Sequence, residues 1–319
     1  MSKESCTPAA PRTPAEPRTP AEPRTSSNAK PRGRKGAGLV AARRIVQICA
    51  LVLFAMPLFA AGWSILGLVP SPEEPMATPA EGLLWGSFSA SQVGPITLMD
   101  PFAALQVVCA AKTLAISGLV GAVLVLVVYG LIKGRSFCGW VCPVNFLLEG
   151  VDWLRARLGI KVCELPVPRR AKILVALGVL ALSAVLSIPL FEAVSPIGAL
   201  NRALLFGSLL GVVTLVAIVA VELFWAHRVW CRSLCPLGGF YQVIGTLGLL
   251  SVKIDHDACI NCGKCKSACL SDPAILDDAV AGERNRVCSG DCLLCASCIK
   301  ACPTDALSLG VAAPEHPTL

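Results

Sequence analysis

The chain is short of charge. Only 15% of its 319 residues are Asp, Glu, Lys or Arg, where soluble domains carry about 25%. With 55% hydrophobic residues and a mean hydropathy of +0.67, much of it is expected to sit in lipid. Histidine is scarcer still: three residues leave little for zinc sites of mixed Cys and His type. No Cys-x-x-Cys-His is present, so haem attachment has no motif here. The N-terminus lacks apolar periodicity. "PAAPRTPAEPRTPAEPRTSSNAKPRGRKGAG" is a degenerate Pro-Ala-Glu-Pro-Arg-Thr repeat followed by basic residues. It is too polar to bury a core and too long for the n-region of an ordinary cleaved signal peptide. Residues 1–44 are expected to be a disordered basic tail near anionic lipid heads; no nucleic-acid partner is expected.

Apolar runs dominate the chain from residue 45 to residue 236. Stretches 45–66, 106–132, 173–191 and 203–226 are each long enough, at ~1.5 Å per residue, to cross ~30 Å of hydrocarbon. Only a helix can do so while satisfying its own backbone groups. The expected fold class is therefore mainly α: a polytopic four-helix transmembrane bundle over 45–236, with Pro57 kinking the first helix. Orientation follows the positive-inside rule. Residues 1–44 hold ten basic side chains against three acidic, and 133–172 hold eight against three. Residues 67–105 carry no Lys or Arg, only Glu73, Glu74, Glu81 and Asp100, and 192–202 carry Arg202 alone. The N- and C-termini are predicted to be cytoplasmic, in a multi-pass protein of a bacterial inner membrane. The apolar segment 237–252 is read as interfacial, since a fifth span would carry the C-terminal domain outside.

Cysteine is abundant, at 17 residues, but its spacing is unlike that of a small secreted disulfide scaffold. "CINCGKCKSACLSDPAI" (259–275) and "CLLCASCIKACPTDAL" (292–307) both contain Cys-x2-Cys-x2-Cys-x3-Cys, the ligand run of bacterial ferredoxins. Three close cysteines wrap one face of a cubane, and the fourth reaches the other cluster. Cys259, Cys262, Cys265 and Cys302 are thus assigned to one [4Fe–4S] cluster. Cys292, Cys295, Cys298 and Cys269 are assigned to a second. Residues 253–310 form a cytoplasmic α+β ferredoxin domain, and 311–319 a short tail. A zinc ribbon would need only two separate Cys-x-x-Cys knuckles. Cys269 precedes Leu270 where the second run has Pro303, and Cys288 is a ninth cysteine, an idle thiol or an alternative ligand. Two clusters with interlocked ligand sets suit electron relay better than pure architecture.

A second repeat lies closer to the apolar runs. "RSFCGWVCPVN" (135–145) and "RVWCRSLCPLG" (228–238) share Arg-x-aromatic-Cys-x3-Cys-Pro, with Cys138/Cys142 and Cys231/Cys235 in corresponding positions. Two helical hairpins with one motif at the same end suggest internal duplication. Cysteines four apart on a helical turn share a face, and a nearby Arg favours the thiolate. The pairs are read as ligands of a further metal or cluster, as redox thiols or a docking surface, or as packing residues. Cys6, Cys49, Cys109 and Cys163 are packing residues or spare thiols.

Taken together, four apolar stretches, two Cys-x3-Cys-Pro motifs and a two-cluster ferredoxin tail resemble the NapH/MauN family, over roughly residues 43–310. "DPFAALQ" (100–106) and "SPIGALNRAL" (195–204) extend the likeness. The resemblance implies a ferredoxin-type membrane component of a quinol dehydrogenase, in periplasmic nitrate reductase or methylamine-utilisation systems. It implies quinol as substrate and, as partner, a separate ferredoxin-type subunit or a multihaem cytochrome. Quinol oxidation needs an apolar slot and a proton acceptor; candidates are Asp100, Gln106, Lys112 and Arg202. Against these stand ordinary roles: Asp100–Pro101 as an N-cap with Pro at N1, and Lys112 snorkelling to the interface. Trp225, His227 and Trp230 read as an aromatic belt, and Glu222 lies one turn inside the last run. Two other classes share these features: a metal-reducing assembly factor of an oxidase, and an iron–sulfur redox sensor.

Overall fold

The computed structural model describes residues 34–65, 84–86, 90–93, 96–113, 116–160, 168, 170–200, 209–224 and 227–311. The described chain is mainly helical. α1 (Arg34–Ile65) begins inside the stretch expected to be tail. Three short strands come next, β1 (Leu84–Gly86), β2 (Ala90–Val93) and β3 (Ile96–Met99), in an antiparallel sheet with Ser91 opposite Leu98. The apolar run 106–132 is not one helix. α2 (Pro101–Ala111) ends at Lys112, whose φ of 56° is left-handed and whose N–H returns to the Val108 carbonyl; α3 (Ile116–Ile132) then starts afresh. Further helices are α4 (Ser136–Trp140), α5 (Pro143–Leu158), α6 (Ala171–Leu186), α7 (Leu190–Val194), α8 (Leu209–Phe224) and α9 (Pro236–Ile244).

Among the described residues, Gly36–Leu53 is the one helical stretch both long and apolar enough to cross a membrane. The apolar helices Pro101–Ala111, Ile116–Ile132, Ala171–Leu186 and Gly211–Phe224 are shorter than that.

The chain divides into two compact units. The first comprises Met1–Arg44, Tyr129–Trp140 and Gln242–Leu319. Its sheet pairs β4 (Leu250–Ile254) antiparallel with β5 (Leu307–Val311), Val252 opposite Leu309. β4 thus takes up the end of the apolar segment 237–252, and α9 its start. α10 (Lys264–Ser267), α11 (Asp277–Val280) and α12 (Ser297–Ala301) lie between the strands. Val252, Leu276, Val287, Leu294, Ile299 and Leu307 form the core, with Leu39 and Val40 of α1 packed against it.

The second unit comprises Ile45–Val128 and Val141–Tyr241. Here α2 packs on α6, and α5 on α8. Phe102 is fully buried, its ring edge-on to Phe191 at 5.8 Å and tilted against Phe240 at 5.6 Å. Such aromatic pairs add about 0.5–1.5 kcal/mol each beyond area burial. A polar network holds the unit elsewhere. Arg228 is buried and donates to Asp152 and to Asn145, both at 2.8 Å. Burial alone would raise the Asp152 carboxyl, but His227 and Arg228 hold it below the usual range.

Candidate iron–sulfur centre

Both cysteine loops adopt the same unusual backbone. In the first, Asn261 and Gly263 flank Cys262 with φ of 53° and 72°; in the second, Leu294 and Ala296 flank Cys295 with φ of 50° and 58°. Left-handed conformations cost non-glycine residues about 1–3 kcal/mol each, so two loops that keep them at equivalent positions are shaped for something. Turns of alternating hand point successive amides into one concavity, the nest that receives anions and iron–sulfur clusters.

The cysteines follow this shape. Cys259, Cys262, Cys265 and Cys302 line one cavity, together with Ile254, Val280 and Leu307. Cys269, Cys292, Cys295 and Cys298 line another, together with Val252, Leu276 and Val287. Each cavity takes three cysteines from one run and the fourth from the other. Cys288 lines neither and is disulfide-bonded. Burial, then the neighbouring Cys295 and Cys292, pushes the Cys269 thiol up to about 12; burial drives Cys298 well above the ordinary thiol value too. Thiols in such sites stay protonated until a metal takes the proton's place. Among the described residues no three His, Cys, Asp or Glu side chains converge as they would on a single ion. A cubane asks for something else, since its ligands stand at separate corners. The donor set, the dry apolar lining and the inward amides fit a cluster in each cavity.

A segment from far earlier in the chain braces the second cavity. Arg135 and Asp291 are almost wholly buried and meet at 2.7 Å. The same guanidinium donates to Ser271 at 3.1 Å, so it ties the residue before Cys292 to a residue just past Cys269. Trp140 Nε1 donates to the Leu294 carbonyl at 3.1 Å. Gly139 is required here: a Cβ at that position would collide with the Leu293 carbonyl oxygen. Lys133 is also buried. Sequence reading missed this bracket, because Arg135 and Asp291 are 156 residues apart; the Arg of the repeated motif was its one visible sign.

The Cys-x3-Cys-Pro motifs differ from expectation. In each, the second cysteine has left the helix: Cys142 has ψ of 120° and Cys235 ψ of 109°, both extended. Proline forces this. It bars the residue before it from the α region and opens a new helix at its own position, here α5 and α9. The pairs therefore do not share one helical face. Cys138 rides on α4 in the first unit, Cys231 on a π-helical turn, Trp230–Leu234, in the second. Each motif arginine is committed to a carboxylate, Arg135 to Asp291 and Arg228 to Asp152.

Of the quinol-site candidates, Asp100 and Gln106 are woven into one buried cluster. Asp100 Oδ2 caps α2, accepting from the amides of Phe102 and Ala103 at 3.1 and 3.0 Å. Its Oδ1 accepts from the Tyr241 hydroxyl at 2.9 Å. Burial pushes the Asp100 carboxyl up to about 6, opposed by those donors and helped by Glu192. Gln106 is fully buried; its Oε1 accepts from the Phe191 amide at 3.0 Å, while its Nε2 has no hydrogen-bond acceptor among the described residues. Lys112 is exposed at the far end of α2, about 18 Å of helix from Asp100 at ~1.5 Å per residue. Glu222 accepts from the Trp230 amide at 2.9 Å. Arg202, Trp225, Cys6 and Cys163 lie outside the described residues.

Such a fold and such loops define a ferredoxin-type iron–sulfur protein with an apolar helical portion. A family model described as a 4Fe-4S binding domain matches twice, over residues 114–161 and 208–254. Each match contains one Cys-x3-Cys-Pro motif, as internal duplication requires. The methylamine utilization ferredoxin-type protein MauN of Paracoccus denitrificans is 34% identical over 78% of this chain and 82% of its own length. MauN of Methylorubrum extorquens is 33% identical over 88% of this chain and 94% of its own. The ferredoxin-type protein NapH of Escherichia coli is 30% identical over 71% of this chain and 80% of its own. No solved structure matches. The chain belongs to the NapH/MauN family of ferredoxin-type proteins, and iron–sulfur electron transfer is the activity that membership implies.

Proposed function

We propose that the protein is a polytopic inner-membrane electron carrier that takes electrons from quinol and hands them to a partner redox protein. Cys259, Cys262, Cys265 and Cys302 hold one [4Fe–4S] cluster; Cys292, Cys295, Cys298 and Cys269 hold the other. The observation that carries this reading is the crossed lining of the two cavities. Bound cubanes supply one-electron chemistry at potentials the protein sets. The chain's own part is to exclude water with Val252, Ile254, Leu276 and Leu307, and to aim backbone amides at the sulfurs.

The membrane reading rests on four apolar stretches and their cationic flanks, with both termini cytoplasmic and four spans within residues 45–236. Asp100 accepts the quinol proton, with Tyr241 orienting its carboxylate and the Gln106 Nε2 donor available to a quinol oxygen. The Phe102 amide caps this carboxylate, and the rings of Phe191 and Phe240 that pack on Phe102 offer the apolar contact a quinol head needs. The partner is a separate ferredoxin-type subunit or a multihaem cytochrome, as the family resemblance implies. Cys138, Cys142, Cys231 and Cys235 serve as iron–sulfur or other redox ligands, a reading supported by the 4Fe-4S family model that spans both motifs.

The test is anaerobic purification in detergent, iron analysis, and paramagnetic resonance after addition of a quinol. About eight irons per chain from the ferredoxin cysteines, four for each cubane, and signals that grow with quinol support the proposal. Iron well below that number, or clusters that only a strong chemical reductant can reduce, would refute it.

A further inference from the structure

The two cysteine loops reach one backbone shape by different means. In the first, the left-handed positions flanking Cys262 are Asn261 and Gly263, residue types that visit that region readily. This loop stands at the surface. Ile260, Asn261 and Cys262 are exposed, and a Cβ on Gly263 would meet nothing within 4 Å. Its shape comes from its own residues. In the second loop the equivalent positions are Leu294 and Ala296, whose Cβ atoms oppose a positive φ. Residues 291–296 are all buried, so a contact from outside the loop has to hold the conformation that its sequence resists.

The α4 segment, in the same compact unit, makes that contact. Gly139 lies so near the Leu293 carbonyl oxygen that a Cβ has no room. One residue further on, the half-buried Trp140 donates from Nε1 to the Leu294 carbonyl at 3.1 Å. Two successive carbonyls of the loop therefore face α4. Across a trans peptide the N–H points opposite to the C=O, so the amides of Leu294 and Cys295 face away from α4. Leu293, Cys295 and Ala296 of this loop line the second cavity.

We infer that Trp140 is the positioning residue of the second cluster: its indole N–H holds the Leu294 carbonyl outward, keeps Leu294 and Ala296 left-handed, and so aims the loop's amides at the cluster's sulfurs. The first cluster needs no such brace, because Asn261 and Gly263 supply the shape locally. The inference deepens the function proposed above and rests on its ligand assignment. It also gives the first Cys-x3-Cys-Pro motif a structural tie to one cluster, since Trp140 stands two residues after Cys138.

The experiment follows each cluster's paramagnetic signal during anaerobic chelation of the reduced, full-length protein in detergent. Cys262→Ser and Cys292→Ser, which each strip a ligand from one cluster, identify the two signals. Trp140→Phe keeps a ring but removes the donor, and should speed loss of the second signal about tenfold while leaving the first at the wild-type rate. Adding Ala296→Gly to Trp140→Phe should restore most of that loss, because glycine holds a positive φ unaided; Ala296→Gly alone should retain the second cluster at least as well as wild type. Gly263→Ala should speed loss of the first signal alone, by about 5- to 30-fold, although the added methyl touches nothing. Rescue by glycine is specific to backbone conformation, which a packing role for Trp140 would not produce. Unchanged kinetics in Trp140→Phe, equal acceleration of both signals, no rescue by Ala296→Gly, or an indifferent Gly263→Ala would each overturn the inference. Fewer than two cluster signals in the wild type would overturn the ligand assignment itself, and the inference with it.

Discussion

Breaking the buried Arg135–Asp291 pair should loosen one cluster and spare the other. Both side chains are at most 3% exposed and their charged atoms are 2.7 Å apart. With an effective dielectric of about 20 the attraction at that distance is about 6 kcal/mol, before the offsetting cost of removing both ions from water. Measured pairs of this kind lose about 3–5 kcal/mol when one partner is deleted, because the other is left buried and uncompensated. The whole of that cost falls on the loop carrying Cys292 and on Ser271, two residues past Cys269, since Arg135 joins them. Arg135→Met should therefore raise the population of the opened loop by about 10²–10⁴-fold, at 1.4 kcal/mol per tenfold. The assay is iron release to a chelator from anaerobically purified protein. Half the iron should leave far faster than in wild type and half at the wild-type rate. Arg135→Met combined with Asp291→Leu should lose iron more slowly than either single variant, because no orphaned charge remains. Wild-type release from Arg135→Met, or a double variant as damaged as the sum of the singles, would refute the argument.

Two further outcomes test other parts of the structure. Gly139→Ala should accelerate release of that same half of the iron, because the new methyl would run into the Leu293 carbonyl oxygen with backbone on both sides; chelator kinetics read this directly, and unchanged kinetics would mean the α4 bracket is dispensable. Quinol oxidation should rise with pH through about 6, as Asp100 loses its proton against the opposition of Glu192 and with Tyr241 still donating to the carboxylate. Asp100→Asn should abolish that rise and slow the reaction by about 10²-fold or more, while Tyr241→Phe should keep the rise but move it. An unaltered pH profile in Asp100→Asn would return the residue to its role as a helix cap.

What could be read from the residues, and what could not, divides along the range of the forces involved. The cysteine runs were legible because their geometry is local: spacings of three and four residues bring sulfurs of one run to one cavity, and each cavity is lined by three cysteines of one run and one of the other. The duplication was legible for the same reason, since a short motif repeats at a fixed offset. Hydropathy failed where everything is apolar. Between residues 106 and 132 no periodicity distinguishes a continuous helix from two helices broken at Lys112, where the chain turns left-handed. The proline that closes each Cys-x3-Cys-Pro motif acts on its neighbour: its steric restriction on Cys142 and Cys235 is what separates each cysteine pair from a common helical face. Long-range pairing was invisible altogether. Arg135 sits in a motif whose obvious chemistry is its own cysteines, yet its buried ion pair is with Asp291, on the far side of the sequence. That misdirection carries a physical lesson: in a chain so poor in charge, a basic residue kept inside is there to meet an anion, and finding that anion locates the site better than the motif does.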